Sequence, residues 1–285
     1  METQKEGLIA RSAALRDQRM RQLVIGTCKL CTRENQELKE SHLMPAGLYR
    51  RLLSSDKNPH PILVTKDGSR SSSEQVTDNV LCAECESRFD RLGENYALRY
   101  AASERRFRLL EELQVITPSR TMKEWRGYNQ ADTPEIKRDE LAYFALSVFW
   151  RAAIHRWPDT DGNKRKDRIN LGTENTESLR RFLRGEGPVP STMALFFVVL
   201  TDRLSQGSFY TPSLSHKKGY RWFFGFSACG FMFQLIVGKN LDYQNTGTCL
   251  VRSPERWIWV RDGEGKTLQA FGSLLAKQPP EVRAK

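Results

Sequence analysis

Long apolar runs are missing from this sequence. Nothing in its 285 residues approaches the ~18 consecutive apolar positions a membrane helix needs. The longest run, Ala194 to Leu200, is the size of a strand. The N-terminal segment METQKEGLIARSAALRDQRM has no apolar centre and no cleavage-like site. No signal peptide is therefore expected, and the expected compartment is the cytoplasm, where disulfides are rare. A glycine-rich nucleotide loop, a GxSxG elbow and an internal repeat are all absent. Asp159-Thr-Asp-Gly-Asn163 begins like a calcium loop but has Lys164 where glycine is required and Asn170 where glutamate is required. Those two departures exclude it. No block of one charge is present either. The formal net charge of +11 divides into +4 for residues 1–130 and +7 for the rest. A diffuse excess of this kind permits a phosphate-rich partner without specifying one.

Enough apolar side chains remain, at 39 %, to exclude disorder as a description of the whole chain. Residues 1–22 read as a polar helix. Leu48, Leu52 and Leu53 give Ala46 to Leu53 a helical spacing. Pro59 and Pro61 sit in a loop, with a strand expected over Ile62 to Thr65 and a flexible stretch over 67–73. From Cys82 the pattern is helical to about Leu113. Residues 115–137, with Pro118, Gly127 and Pro134, read as a junction. Beyond it Leu141, Phe144, Ala145, Val148, Phe149 and Ala152 place one apolar face on a helix from Asp139 to Trp157. A short basic helix follows over Glu177 to Arg184. Met193 to Leu200, Tyr220 to Ser227, Phe231 to Val237 and Arg256 to Val260 are rich in aromatic and β-branched residues and read as strands. Ala228-Cys-Gly230 between two of them reads as a hairpin turn. The expected fold class is α+β in two parts. Residues 1–130 form an N-terminal zinc-bound module with a helical extension, and residues 131–285 form an α+β domain with an antiparallel sheet.

Six cysteines carry the clearest chemical signal. Four form the pairs Cys28-Lys-Leu-Cys31 and Cys82-Ala-Glu-Cys85. Two thiolates two residues apart can meet one metal from a tight knuckle, and a second pair completes a tetrahedral structural zinc site. Such a site has no open position, so any chemistry must come from other residues. Cys229 and Cys249 have no paired neighbour and read as core.

Between the knuckles lies Leu38-Lys-Glu-Ser-His-Leu-Met-Pro45. Asp78-Asn-Val-Leu-Cys82 leads into the second knuckle, and Glu86-Ser-Arg-Phe89 follows it. This order resembles the HNH endonuclease family, whose ββα-metal fold often carries a treble-clef zinc. The resemblance covers roughly residues 24–100. It implies metal-dependent hydrolysis of DNA phosphodiester bonds, with RNA left open as substrate. It places His42 at the catalytic base, Asn79 at the asparagine that fixes the loop, and Glu86 where the family usually has its last histidine. A carboxylate there suits magnesium or manganese. If residues 38–42 form a strand, Glu40 shares the face of His42, as a second ligand or to orient the imidazole. Ser41 departs from the acidic residue or histidine that many members place before the catalytic histidine. Asp90 and Glu94 follow Glu86 at helical spacing, extending the acidic site or lying in solvent.

Arg88, Arg91, Arg50 and Arg51 are the candidate phosphate contacts. Arg99 and the group Lys164 to Arg168 with Arg180, Arg181 and Arg184 are further basic candidates. His60, His155 and His216 read as loop or helix-end groups. Small proteins of this resemblance with an extra domain often serve phage defence or mobile elements. The competing expectation is a non-catalytic zinc module that binds nucleic acid or a protein partner. A third makes the C-terminal sheet the functional part, and a protein partner or self-association through that domain stays open.

Overall fold

The computed structural model describes residues 23–53, 62–65, 68–71, 75–158 and 169–263. The expectations for residues 1–22, for His60 and its flanking prolines, for 159–168 and for the C-terminal residues from 264 lie outside them. Three sheets and eight short or medium helices are present among the described residues.

The first sheet has the order β1 (Val24–Gly26), β2 (Gln36–His42), β5 (Thr77–Cys82). β2 and β5 are antiparallel, with Leu38 opposite Cys82, Glu40 opposite Asn79 and His42 opposite Thr77. A bulge between Lys39 and Glu40 resets the register, which re-aims the side chains at the outer end of the ribbon. α1 (Ala46–Leu53) follows β2. β3 (Ile62–Thr65) is the strand expected there, and it pairs in a small hairpin with β4 (Gly68–Ser71), which occupies part of the stretch expected to be flexible. β5 runs straight into α2 (Ala83–Phe89), with Cys82 as the N-cap. The helical pattern then continues through a π-helical turn, Asp90–Glu94, into α3 (Asn95–Tyr100), and after a break into α4 (Arg108–Gln114).

The second sheet has seven strands in the order β6 (Arg120–Met122), β7 (Trp125–Tyr128), β12 (Ile258–Arg261), β8 (Met193–Leu200), β11 (Phe231–Val237), β10 (Arg221–Ala228), β9 (Phe209–Lys218). Its first two strands come from the segment read as a junction. The pairings are antiparallel except β12 with β8, which is parallel. The β10–β11 turn is built as expected: Cys229 and Gly230 both have positive φ, 46° and 84°. That is the geometry of a tight hairpin whose twist matches its strands. A side chain at position 230 would meet the Phe107 ring at 2.6 Å.

α5 (Arg138–Ile154) is the axis of the molecule. The expected apolar face is there: Phe144 and Phe149 pack on Phe226 and Phe233 of the sheet, with ring centroids 5.0–6.1 Å apart. The opposite side is buried too. Tyr143 and Trp150 pack on Phe89 of α2 at 6.2 and 6.1 Å. A helix covered on both sides loses its polar stripe, so the single-face pattern understates its burial. Gly93 in the π turn packs directly on the α5 backbone. A Cβ there would lie 2.6 Å from the Phe144 backbone nitrogen. α6 (Thr173–Arg184) flanks α5, where the Tyr143 hydroxyl donates to the Leu183 carbonyl at 2.7 Å. One apolar core therefore runs from the cysteine module through α5 to the large sheet. α7 (Arg203–Gln206) and α8 (Tyr243–Thr246) are single turns. No described helix is long and apolar enough to cross a membrane.

Candidate metal centre

The two knuckles meet. Cys28, Cys31, Cys82 and Cys85 are all buried, and their sulfurs lie within 4.8 Å of one another. The first pair sits in the loop after β1, tightened by the Thr32 N–H to the Cys28 carbonyl at 2.9 Å and the Cys28 N–H to the Arg33 carbonyl at 3.1 Å. The Lys29 N–H ties this loop to the Val80 carbonyl of β5 at 3.2 Å. The second pair is the strand-to-helix corner. The ~50 residues between the knuckles do not disturb the site, because β2 and β5 bring their ends together.

Four sulfurs this close compete for protons. The Cys28 thiol is held well below its ordinary range, first by a hydrogen bond from Cys85, while Cys85 is raised by the same contact and Cys82 by burial. A cation in their midst would replace those protons. Four thiolates around a divalent ion leave two negative charges, and the surroundings offer compensation. The Cys82 N–H points at the Cys28 sulfur at 3.4 Å. Arg33 donates to the Cys31 sulfur at 3.3 Å and the Cys82 sulfur at 3.9 Å, and also pairs with Glu84. Donors to coordinating sulfur of this kind orient and stabilise thiolate ligands. The cluster can bind a metal ion such as zinc. Cys229 and Cys249 are buried apart from it as expected, and burial pushes their thiols up to about 11 and about 12.

The other candidates divide between the two faces of the β2–β5 ribbon. On one face stand Glu40, His42, Thr77 and Asn79, since opposed residues share a face and alternate residues along a strand do too. His42 is half-buried. Burial pushes its imidazole below the ordinary value, against the opposing influences of a Gln75 hydrogen bond and the Glu40 charge. Tyr49 of α1 lies 6.2 Å from its ring centroid. Glu40 is exposed and accepts from the Thr77 hydroxyl at 3.1 Å. Asn79 is exposed, and its backbone N–H donates to the Asp78 carboxylate at 2.7 Å.

Ser41 and Asp78 occupy the reverse face. Ser41 is fully buried and accepts from the Leu81 N–H at 3.1 Å. Glu86 lies beside Ser41, with its Oε1 buried and unpartnered. Burial raises its carboxyl, the Ser41 hydroxyl and Arg151 oppose that, and Glu94 and Asp90 add to it. Glu94 is buried and paired with Arg151 at 2.6 Å. Arg151 also donates to the His42 carbonyl at 2.9 Å. The Asp78 carboxylate accepts from His155 Nε2 at 2.7 Å, which gives that helix-end histidine a carboxylate partner. Among the described residues no second group of three His, Cys, Asp or Glu side chains brings its ligand atoms together. His42 and Glu40 thus share one face of the ribbon, Glu86 of α2 lies at the other face beside Ser41, and the three do not form a ligand triad.

The candidate phosphate contacts also separate. Arg50 and Arg91 are exposed. Arg88 donates to the Leu183 and Arg184 carbonyls at 2.8 and 2.6 Å, closing the C-terminus of α6. Arg51 does the same for α3, donating to the carbonyls of Leu98, Ala101 and Ala102. Arginine at helix C-terminal carbonyls is a favourable arrangement in its own right. Arg151, in the last turn of α5, escaped sequence reasoning: it follows the uncharged stretch Leu141 to Trp150 and has partners 57 and 109 positions away.

Fold and site together define a mixed α+β protein with antiparallel sheets and a buried four-cysteine cluster. No protein-family model matches the chain, and no curated protein or solved structure matches it.

Proposed function

We propose that the four cysteines hold zinc and that the surrounding module is an HNH-like endonuclease, hydrolysing DNA phosphodiester bonds with His42 as general base. Four buried thiolates favour zinc over harder ions. The observation that carries the catalytic reading is the setting of His42. It ends a strand braced at its other end by the metal cluster, its carbonyl is fixed by Arg151, and burial pushes its ring below the ordinary value, which favours the neutral form. A neutral imidazole is the protonation state a general base needs. Gln75 and the Glu40 charge oppose the effect of burial on the ring, and a ring nitrogen would take the proton of an attacking water. Asn79 and Glu40 stand on the same exposed face, where a phosphodiester would approach. Glu86, the expected holder of magnesium or manganese, has a buried carboxylate oxygen without a partner but lies beside Ser41 on the reverse face of the ribbon, which leaves Glu40 as the carboxylate on the His42 face. Such ions are commonly bound through one or two carboxylates, with waters and substrate phosphate completing the shell. When bound, the ion would neutralise charge developing on the scissile phosphate.

One observation favours the second reading, a non-catalytic zinc module that binds nucleic acid or a protein. The Arg151 guanidinium is a permanent cation seated against Glu94 and near Glu86, where a metal would otherwise find its acids. A plasmid-nicking assay with magnesium or manganese separates the two. The nuclease reading expects nicking by the wild type, its loss in His42→Ala and Glu86→Gln, and unchanged zinc content in both variants. Equal cutting by wild type and His42→Ala, or no cutting by either, leaves the binding module.

A further inference from the structure

The large sheet ends in a feature that neither the cysteine cluster nor the His42 ribbon uses. β9 and β10 form a hairpin turned at Gly219, and β9 is exposed from Ser213 to Lys218. Residues 209–228 contain His216, Lys217, Lys218 and Arg221, and no aspartate or glutamate. Aromatic side chains stand out with these cations. Tyr220 at the turn is 92 % exposed, Tyr210 is 61 % and Trp222 is 40 %. The tip is ordered within itself. Lys217 Nζ lies 4.6 Å from the centroid of Trp222, its cross-strand partner, and His216 stacks on Phe223 at 4.2 Å.

β9 is the edge of its sheet, and edge strands often carry lysine and proline to block pairing with other chains. That accounts for Pro212, Lys217 and Lys218. It does not account for Tyr220 and Trp222, because exposed aromatic area at an edge raises the very risk that the lysines lower. Lys217 and Lys218 are exposed in a stretch of chain without acids, and such cations select a polyanion. Exposed rings, Tyr220 at the turn and Trp222 beyond the side that Lys217 covers, select bases that are unstacked, since a duplex hides the faces of its bases.

We propose that the tip of the β9–β10 hairpin binds unpaired DNA, with Lys217 and Lys218 meeting phosphates and Tyr220 and Trp222 stacking on bases. The surface lies outside the His42 ribbon, and binding there does not depend on cleavage.

The test is fluorescence anisotropy of the full chain with a labelled oligothymidylate, without added divalent metal. Parallel arms use the matching duplex, the matching RNA and phosphatidylserine vesicles. The wild type should bind the oligothymidylate more tightly than any other arm and lose tryptophan fluorescence on binding. Tyr220→Ala with Trp222→Ala should weaken binding roughly 5- to 100-fold, the range of one or two lost base stacks. Lys217→Gln with Lys218→Gln should weaken it and reduce the log–log salt slope by about 1 to 2. All four positions are at the surface, so circular dichroism and Tm should match the wild type. Absence of wild-type binding overturns the proposal. So do tip variants that bind as the wild type does, or tighter binding of duplex, RNA or vesicles. A wild type that fails to nick plasmid but binds the oligothymidylate through the tip removes the nuclease reading alone.

Discussion

Arg151 holds His42 by its backbone. The guanidinium of one donates to the carbonyl of the other at 2.9 Å across 109 positions of sequence, while its second arm pairs with buried Glu94 at 2.6 Å. The position of His42 is therefore set by a helix that belongs to the other half of the chain.

Removing the guanidinium should cost more than the ion pair is worth. Arg151→Met leaves the Glu94 carboxylate buried without a cation and the His42 carbonyl without its donor. A loss of about 3–5 kcal/mol is expected for such an orphaned charge. Urea unfolding of Arg151→Met, alone and with Glu94→Leu, measures this. The double variant should recover part of the loss, because an apolar pair of similar volume removes the unpaired charge.

Metal content should follow the four clustered cysteines alone. Cys82→Ser is expected to lose bound zinc and the folded state of the first module, because the site is built by folding and returns its binding energy to it. Cys249→Ala is expected to keep full zinc at the modest cost of a small core change. Metal analysis by mass spectrometry with a thermal melt reads both. A fully loaded Cys82→Ser would contradict the four-cysteine site.

His42 should give stability a pH slope of definite sign. Its folded pKa is depressed below the ordinary value of 6.5. The unfolded chain takes up the proton first as pH falls. The contribution of the neutral ring is complete above about 6.5 and is lost as pH falls through the folded value. Tm measured between about pH 5 and 7.5 should decline less steeply on the acid side in His42→Gln than in the wild type. Proton NMR titration of the ring should place its midpoint below 6.5.

Gly93→Ala tests the contact between the π turn and α5. The added Cβ would lie 2.6 Å from the Phe144 nitrogen and 2.9 Å from its Cα. Both are backbone atoms that cannot rotate away, so the helices must separate. Overpacking of this kind costs about 1–3 kcal/mol, which outweighs the better helix propensity of alanine. Denaturant midpoints for the variant and wild type report the difference.

What could be read in advance follows the range of the interaction that writes it. A CxxC pair closes on itself, so both knuckles are visible as spacing, whereas β2, with Leu38 its only apolar residue, is written in no apolar run. α5 is visible from its periodicity, yet its second buried face is not, because covering both sides erases the polar stripe that would mark it. β9 is hidden since Ser213, Ser215, His216 and Lys217 interrupt the alternation, as suits a strand with one open edge. β6 and β7 are too short to stand out among turn residues. The Arg151 contacts with Glu94 and His42, and the Asp78–His155 pair, join positions with no local relation. They exist only once α5 is packed, and no pattern along the chain announces them.

The double burial of α5 has a consequence for how the molecule comes apart. Because one helix is the shared wall of the cysteine module and the large sheet, neither can lose its structure while leaving the other a dry surface. Heating should melt both in a single calorimetric transition. Stripping the metal should lower that transition for the distant sheet as well, so occupancy of a site at one end of the protein sets the working temperature of the other.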